Sequence, residues 1–298
     1  MKVSVVLRDT ARRFTRAGLH YGHGTHSARE EAAWLISSVL GYLLEEEVDP
    51  KTLKKIEVLA RRRIRERIPL AYLLKEAWLG EHSFYVDRRV IVPRSFIAEL
   101  LREHLRPWLS REPGRVLDLC TGSGCLAVLL ALEFQNAGID AADHSASALR
   151  VAGINIKKYR LGRRVRAIRS DLFQSIKKTN YDLIVSNPPY VTANSMRRLP
   201  REFRHEPSMA LAAGSDGLDL VHRIIAGAGN HLMPGGLLVC EIGGNRKALE
   251  RAYPATEFTW PETSAGPGCV FILDREQLPG ARTVSSTRSR PRPARPRR

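Results

Sequence analysis

Apolar residues in the first quarter of the chain recur at helical spacing, so residues 3–19, 28–44 and 52–67 read as helices, the second with Trp34, Leu35, Val39 and Leu43 along one face. Pro69 closes this part. Between 77 and 92, the apolar residues Trp78, Phe84, Tyr85, Val86, Val90 and Ile91 are split by Asp87 and Arg88, a pattern that predicts a short hairpin. From Arg115 the period changes. Short apolar runs at 116–119, 139–143, 165–168, 181–186 and 237–242, with two more near Phe258 and Val270, are separated by helical segments at 125–134, 147–160 and 218–232. Alternation of strand and helix predicts an α/β fold, a mostly parallel sheet with helices on both faces. After residue 278 the chain is rich in Pro, Ser and Arg and cannot build a core, so 279–298 is expected to be a disordered tail.

Composition adds location and partners. The longest apolar runs, such as 126–132, fall far short of the ~20 residues a membrane helix needs, so no membrane partner and no export signal is expected. Cys120, Cys125, Cys240 and Cys269 lie in apolar segments without a spaced framework, which fits reduced packing residues of a cytoplasmic protein. His20, His23 and His26 recur every three residues, but the glycines between them leave no fixed ligand geometry, and no metal is expected. The net charge of +17 points to nucleic acid or a nucleic-acid-rich partner. Seven arginines of the tail carry part of it, and segment 51–67 holds eight Lys or Arg against two Glu. Non-specific RNA contact through this basic surface and the tail is one reading; solvated helix faces are the other.

The segment Asp118-Leu119-Cys120-Thr121-Gly122-Ser123-Gly124-Cys125 stands where the first strand of the sheet meets its first helix, a place where free backbone N–H groups meet a ligand. Gly122 and Gly124 permit close approach of the chain. The carboxylate of Asp118 suits the ammonium of a methionine moiety better than a pyrophosphate, and the third glycine of a dinucleotide fingerprint is missing. Asp143, nineteen residues after Gly124, ends the next strand and is placed to accept from ribose hydroxyls. Asp171 follows the third strand, where it is placed to accept from an adenine amine with Leu172 or Phe173 against the base. These acids at successive strand ends, with Cys120, Thr121 and Ser123 in the turn, predict an S-adenosylmethionine site.

Asn187-Pro188-Pro189-Tyr190 directly follows the strand at 181–186. Consecutive prolines often end strands, but the segment also suits a reaction at a planar nitrogen. An amide nitrogen is a poor nucleophile because its lone pair is delocalised, so it needs presentation more than it needs a base. The Asn187 side-chain oxygen and the Pro188 carbonyl offer acceptors for its two hydrogens, the prolines hold the backbone, and Tyr190 is suited to stack on the amide.

Together these residues resemble the class I methyltransferases, whose Rossmann-like sheet has seven strands, and the tetrapeptide resembles that of enzymes acting on exocyclic or amide nitrogens. Further segments narrow the likeness: Tyr21-Gly22-His23-Gly24-Thr25, the run 67–73, Phe84-Tyr85-Val86-Asp87, Val92-Pro93-Arg94-Ser95, Phe203-Arg204-His205-Glu206-Pro207 and Gly214-Ser215-Asp216-Gly217-Leu218. They resemble the protein-glutamine methyltransferases over roughly residues 20–278, most of all the branch acting on the third large-subunit ribosomal protein. The resemblance implies a helical substrate-recognition domain at 1–73, a hairpin linker at 74–94 and a catalytic domain at 95–278 with one reversed terminal strand. It also implies a ribosomal-protein substrate, met free or within an assembling ribosomal particle. The sister branch, which modifies peptide release factors, and the methyltransferases of the adenine amino group are the alternatives. A non-catalytic assembly factor would need a decayed site, and Asp118, Gly122, Gly124, Asp143 and the tetrapeptide are intact. The chain departs from the family at His144-Ser145-Ala146-Ser147, which lacks the usual proline and acid at the helix start, and at Gly153 within that helix.

Overall fold

The computed structural model describes residues 1–41, 46–103, 105–109, 111–177 and 180–279. All but the first residue of the expected tail at 279–298 and the end of the second expected helix, with Leu43, lie outside the described residues. The chain begins with α1 (Val3–Arg16), α2 (Ala28–Val39), α3 (Pro50–Glu66) and the short α4 (Leu70–Leu74). Their starts follow from local chemistry. The Ser27 side chain accepts from the Glu30 N–H at the head of α2, and Asp49 accepts from the Lys51 and Thr52 N–H groups ahead of Pro50 in α3. Val6, Phe14, Leu35, Ile36, Ile56 and Ala60 close a core between the first three helices.

The hairpin β1 (Ala77–Leu79) and β2 (His82–Phe84) turns at Gly80-Glu81. Asp87-Arg88 is therefore not the hairpin turn that the polarity pattern suggests. Gly80 takes the left-handed conformation that a two-residue turn demands (φ 61°), while Asp87 closes a later turn by accepting from the Arg89 N–H.

After α5 (Ile97–Glu103) come β3 (Arg115–Leu119), α6 (Cys125–Glu133), β4 (Gly138–Asp143), α7 (Ala146–Lys158), β5 (Val165–Arg169), β6 (Tyr181–Ser186), α8 (Ala193–Arg198), α9 (Asp219–Ala228), β7 (Leu232–Glu241), α10 (Arg246–Ala252) and β8 (Val270–Asp274). The sheet runs β5-β4-β3-β6-β7-β8, all parallel except the terminal β8, as an α/β class I methyltransferase fold requires. Six strands form ladders among the described residues; near Phe258 the seventh shrinks to one bridge, Thr259 to Ile272, with bonds of 3.1 and 2.9 Å. β7 starts earlier than its apolar run suggests: Leu232 pairs with Tyr181, and the register slips across Pro234-Gly235-Gly236 before Leu237 meets Leu183.

Both sheet faces are buried, with side chains alternating between them. Val116, Leu183, Val185, Val239 and Ile272 pack with α5 and α6 on one face. Leu117, Leu119, Ile184, Leu238 and Phe271 pack with α9 on the other. From β3 the chain proceeds to β4 on one side and later returns to β6 on the other, which opens a crevice beyond the carboxyl ends of these strands.

The altered start of α7 is repaired locally. Ser145 caps the helix by accepting from the Ala148 N–H at 3.2 Å, and the Ser145 N–H is held by Asp143 at 2.8 Å. Gly153 has open space where a Cβ would stand and an ordinary φ, so Gly153→Ala is expected to stabilise the fold by about 0.5–1 kcal/mol. A rise in the urea midpoint at unchanged m-value would show it.

Candidate active site

A cavity of about 540 Å³ opens beyond the ends of β3, β4 and β6, well within the range of a nucleoside-sized ligand. Of the residues expected at a cofactor site, Cys120, Gly122, Asp143, Asp171, Leu172 and Asn187 line it, and Pro189 lines it from the tetrapeptide. Asp143 is fixed by two backbone donors, Gly122 N–H at 2.9 Å and Ser145 N–H at 2.8 Å, one to each carboxylate oxygen. Each oxygen keeps a lone pair for a further donor. Burial raises the Asp143 carboxyl above the ordinary aspartate range, against the pull of these two bonds. Asp171 pairs with Arg223 at 2.9 Å at the rim. Leu172, in the left-handed region at φ 49°, faces the cavity, whereas Phe173 stacks on His231 with centroids 4.7 Å apart.

Asp118, Thr121, Ser123 and Gly124 stand behind this wall and do not line it. Asp118 is wholly buried; its Oδ2 accepts from the Thr121 hydroxyl at 2.5 Å, and its Oδ1 has no hydrogen-bond partner among the described residues. Burial pushes this carboxyl up to about 7. Thr121 N–H donates to the Ala142 carbonyl and Gly124 N–H to the Thr121 carbonyl, so the turn is pinned to β4 and folded on itself. A Cβ on Gly124 would come within 3.0 Å of the Ala152 Cβ, so this glycine permits α6 to pack against α7. Asn155 ties the same turn to the hairpin region: its amide donates to the Ser123 carbonyl at 2.8 Å and the Tyr85 carbonyl at 3.0 Å, and accepts from the Tyr85 N–H at 2.7 Å. A polar residue in the buried stripe of α7, beside Val151, Ala152 and Ile156, was the available signal for it. Asn155→Ala is expected to cost about 3 kcal/mol, because it strands three backbone groups, the Ser123 carbonyl buried and both groups of Tyr85 partly buried, and chemical denaturation would measure the loss.

The tetrapeptide is held from several sides. Asn187 Nδ2 donates to the Arg94 carbonyl at 3.0 Å, which fixes the amide and leaves Oδ1 with no donor among the described residues. Arg94 is the partner of a carboxylate: its guanidinium grips Glu206 through two bonds of 2.8 and 2.7 Å. Glu206 also accepts from the Val92 N–H at 2.8 Å and lies 3.8 Å from the buried His23. Burial by itself would raise the Glu206 carboxyl, but Arg94 and His23 hold it at about 2. The Tyr21–Thr25 and Phe203–Pro207 segments thus meet: the rings of His20 and His23 lie 5.5 and 4.3 Å from Phe203.

Pro188 is buried and Tyr190 stands off the cavity wall. The Tyr190 ring packs so closely on Gly243 that a Cβ there would come within 2.8 Å, and its hydroxyl donates to Glu241 at 3.2 Å. The ring is thus engaged by Gly243 and Glu241 and not on the cavity wall, where a stack on a substrate amide would need it. Glu241 is nearly unexposed, accepts from the Ser95 hydroxyl and the Phe96 N–H at 2.7 and 2.9 Å, and is pushed up to about 7 by burial. Glu206 stands in the Phe203–Pro207 segment and Glu241 at the end of a strand, but nothing local marks their partners Val92 and Arg94, or Ser95 and Phe96, more than a hundred residues away.

A pH dependence follows. Glu241 binds its proton more tightly folded than unfolded, so its contribution to stability is full below the ordinary glutamate range and lost as pH rises through about 7. Asp118 acts in the same sense, and His205, lowered by burial, opposes both near pH 6.5. Glu241→Gln is therefore expected to flatten the fall of stability between about pH 5 and 7, by at most about 1.4 kcal/mol per pH unit for one proton. Urea midpoints across that range, in both proteins, give the difference.

Comparison with known proteins decides the family. A family model described as "Methyltransferase small domain" matches residues 96–214. The ribosomal protein uL3 glutamine methyltransferase of Neisseria meningitidis serogroup B is 53% identical over 92% of this chain and 93% of its own length. The chain belongs to the ribosomal protein uL3 glutamine methyltransferase family. Members from Burkholderia pseudomallei and Bordetella pertussis are 45% and 46% identical, each over 92% of this chain. Among solved structures, the hMettl16 catalytic domain in complex with MAT2A 3′UTR hairpin 6 superposes with a TM-score of 0.53 at 14% identity, covering 81% of this chain and 91% of that one; the likeness is one of fold.

Proposed function

We propose that this methyltransferase uses S-adenosylmethionine to methylate the side-chain amide nitrogen (N5) of a glutamine in ribosomal protein uL3, in the cytoplasm, on the free protein or an assembling ribosomal particle. The single observation that carries the chemistry is the Asn187 amide: its nitrogen is committed to the Arg94 carbonyl, so its oxygen is left as an acceptor on the cavity wall. Family membership supports the substrate.

The residues fit the cofactor. Asp143 on the cavity wall is suited to accept from ribose hydroxyls and Asp171 with Leu172 to meet an adenine, while Asp118, buried behind the wall, holds Thr121 of the turn that carries Cys120 and Gly122. When bound, S-adenosylmethionine supplies an electrophilic methyl group. Asn187 Oδ1 accepts one N–H of the substrate amide and the Pro188 carbonyl the other, which turns the nitrogen lone pair toward transfer; Pro189 shapes the wall beside them. Tyr190, with its hydroxyl on Glu241 and its carbonyl accepting from the Asn245 amide, holds the end of the tetrapeptide in place. After transfer the nitrogen loses a proton to water, so orientation carries most of the acceleration. The residues 1–73, joined to this site through His23 and Glu206, serve substrate recognition, with 74–94 as the linker and 95–278 as the catalytic unit.

Label transfer from S-adenosylmethionine to uL3, a peptide release factor and ribosomal RNA, assayed in parallel with an Asn187→Ala control, tests the proposal. Label on a uL3 glutamine, absent with the variant, is expected. Label on the release factor alone would move the chain to the sister activity, and label on RNA alone would overturn the substrate class.

A further inference from the structure

A second concavity, about 770 Å³, lies between α1 and α2, away from the transfer site. Ser4, Leu7, Arg8, Ala11, Arg12, Thr15, Arg16, Ala28 and Arg29 form its entire lining: four arginines, small or hydroxylated residues and no acid. Arg8, Arg12 and Arg16 repeat every four residues, so they stand in one row with about 6 Å of helix rise between neighbours. Arg29 of α2 joins them in the lining. All four are exposed. Arg8 has only a loose contact with Asp9, 3.9 Å between two largely exposed side chains, and Arg12, Arg16 and Arg29 have no carboxylate within salt-bridge distance among the described residues. The surface arginines of α3 are matched by contrast: Arg61 faces Glu57, and Arg62 and Arg65 face Glu66. An unneutralised row of guanidinium groups is held apart against its own repulsion, and it favours a polyanion whose charges are also in a row.

We propose that the α1–α2 groove is a docking site for the phosphodiester backbone of RNA. The charge is right for phosphate, and arginine rather than lysine throughout suits its geometry. A lipid surface is disfavoured because Leu7 is the one large apolar residue of the groove and is only half-exposed. The proposed protein substrate is itself an RNA binder, a class that is basic as a rule, and would be repelled here. The groove therefore complements the substrate site: the tetrapeptide takes the glutamine while α1 and α2 hold RNA that accompanies the ribosomal protein. This assignment rests on the proposed uL3 substrate only for which RNA is met, since the groove's preference for phosphate stands on its own charge.

The test measures binding of the full-length protein to a short RNA hairpin across a salt series, beside methyl transfer to free uL3. Three proteins are compared: the wild type, the variant Arg12→Ala/Arg16→Ala/Arg29→Ala, and one with the seven tail arginines changed to serine. The groove variant is expected to bind about tenfold or more weakly at low salt, with the slope of log affinity against log salt reduced by about two to three, because each phosphate contact contributes about 0.7–0.9. Methyl transfer to free uL3 is followed in the wild type, so that failure of the proposed activity and loss of RNA binding are read separately. The single substitution Arg12→Gln, at an exposed position, is expected to reduce the slope by about one and guards against misfolding of the triple variant. Unchanged RNA binding in the groove variant with a full loss in the tail variant would overturn the proposal. So would displacement of the hairpin by polyglutamate as readily as by unlabelled RNA of equal charge, which would assign the groove to an acidic protein. Failure of the wild type to methylate uL3 would strike the proposed substrate and leave the RNA readout standing.

Discussion

Asn187→Ala is expected to lower kcat by about a hundredfold to a thousandfold while changing the affinity for S-adenosylmethionine far less, because what disappears is an acceptor aimed at the substrate nitrogen. The more telling variant is Asn187→Asp. It keeps an oxygen acceptor of the same shape but removes the Nδ2 donor, so the carboxylate meets the Arg94 carbonyl lone pair to lone pair and turns away. If orientation is the source of the rate, aspartate fails nearly as badly as alanine. Single-turnover rates with cofactor binding measured separately distinguish the cases. An aspartate variant with near wild-type kcat would show that the Arg94 contact is irrelevant, and an active alanine variant would remove Asn187 from the mechanism. The experiment is informative because the hydrogen bond tying Asn187 to Arg94 connects it to Glu206 and His23, and so to the helical part of the chain.

What could be read in the sequence was local. The glycine turn and the tetrapeptide each sit at a strand end, and the apolar runs flanking them locate those ends without knowledge of the fold. The missed helices are short: α4, α5, α8 and α10 have five, seven, six and seven residues, too few for a helical period to stand out. Asp118 illustrates a different limit. On β3 it alternates with Leu117 and Leu119, which pack toward α9, and so shares the face of Val116 beneath α6. Strand parity alone would have turned it inward, and its value as an acid at a strand end obscured that. Tyr190 was legible as part of a motif but not in its use, since the groups that hold it, Glu241 and Gly243, come from the far end of β7. The meeting of Tyr21–Thr25 with Phe203–Pro207 was invisible for the same reason. Two segments separated by about 180 residues carry no local sign of contact.

Arg63→Met is expected to have the largest effect on stability, about 3–5 kcal/mol. Arg63 is unexposed although it sits on α3, a helix otherwise basic on its surface. Its Nε donates to Glu31 at 2.6 Å, its Nη2 to the His20 carbonyl at 2.9 Å, and its Nη1 approaches Glu202 at 3.4 Å. Methionine fills similar space but leaves two buried carboxylates facing each other with one cation, Arg67, still bonded to Glu202 at 3.3 Å. A second substitution, Glu31→Gln, removes one of those charges and is expected to recover a substantial share, so the double-mutant cycle separates lost attraction from stranded charge. A cost below about 1 kcal/mol for Arg63→Met would mean that the cluster is solvated in practice and does not join the two parts of the chain. Function supplies an independent readout. Glu202 belongs to the turn that leads into Glu206, so a loosened cluster frees Arg94 and, through its carbonyl, Asn187. The variant is therefore expected to lose kcat at temperatures where its circular dichroism is still native, which a purely local packing role for Arg63 would not produce.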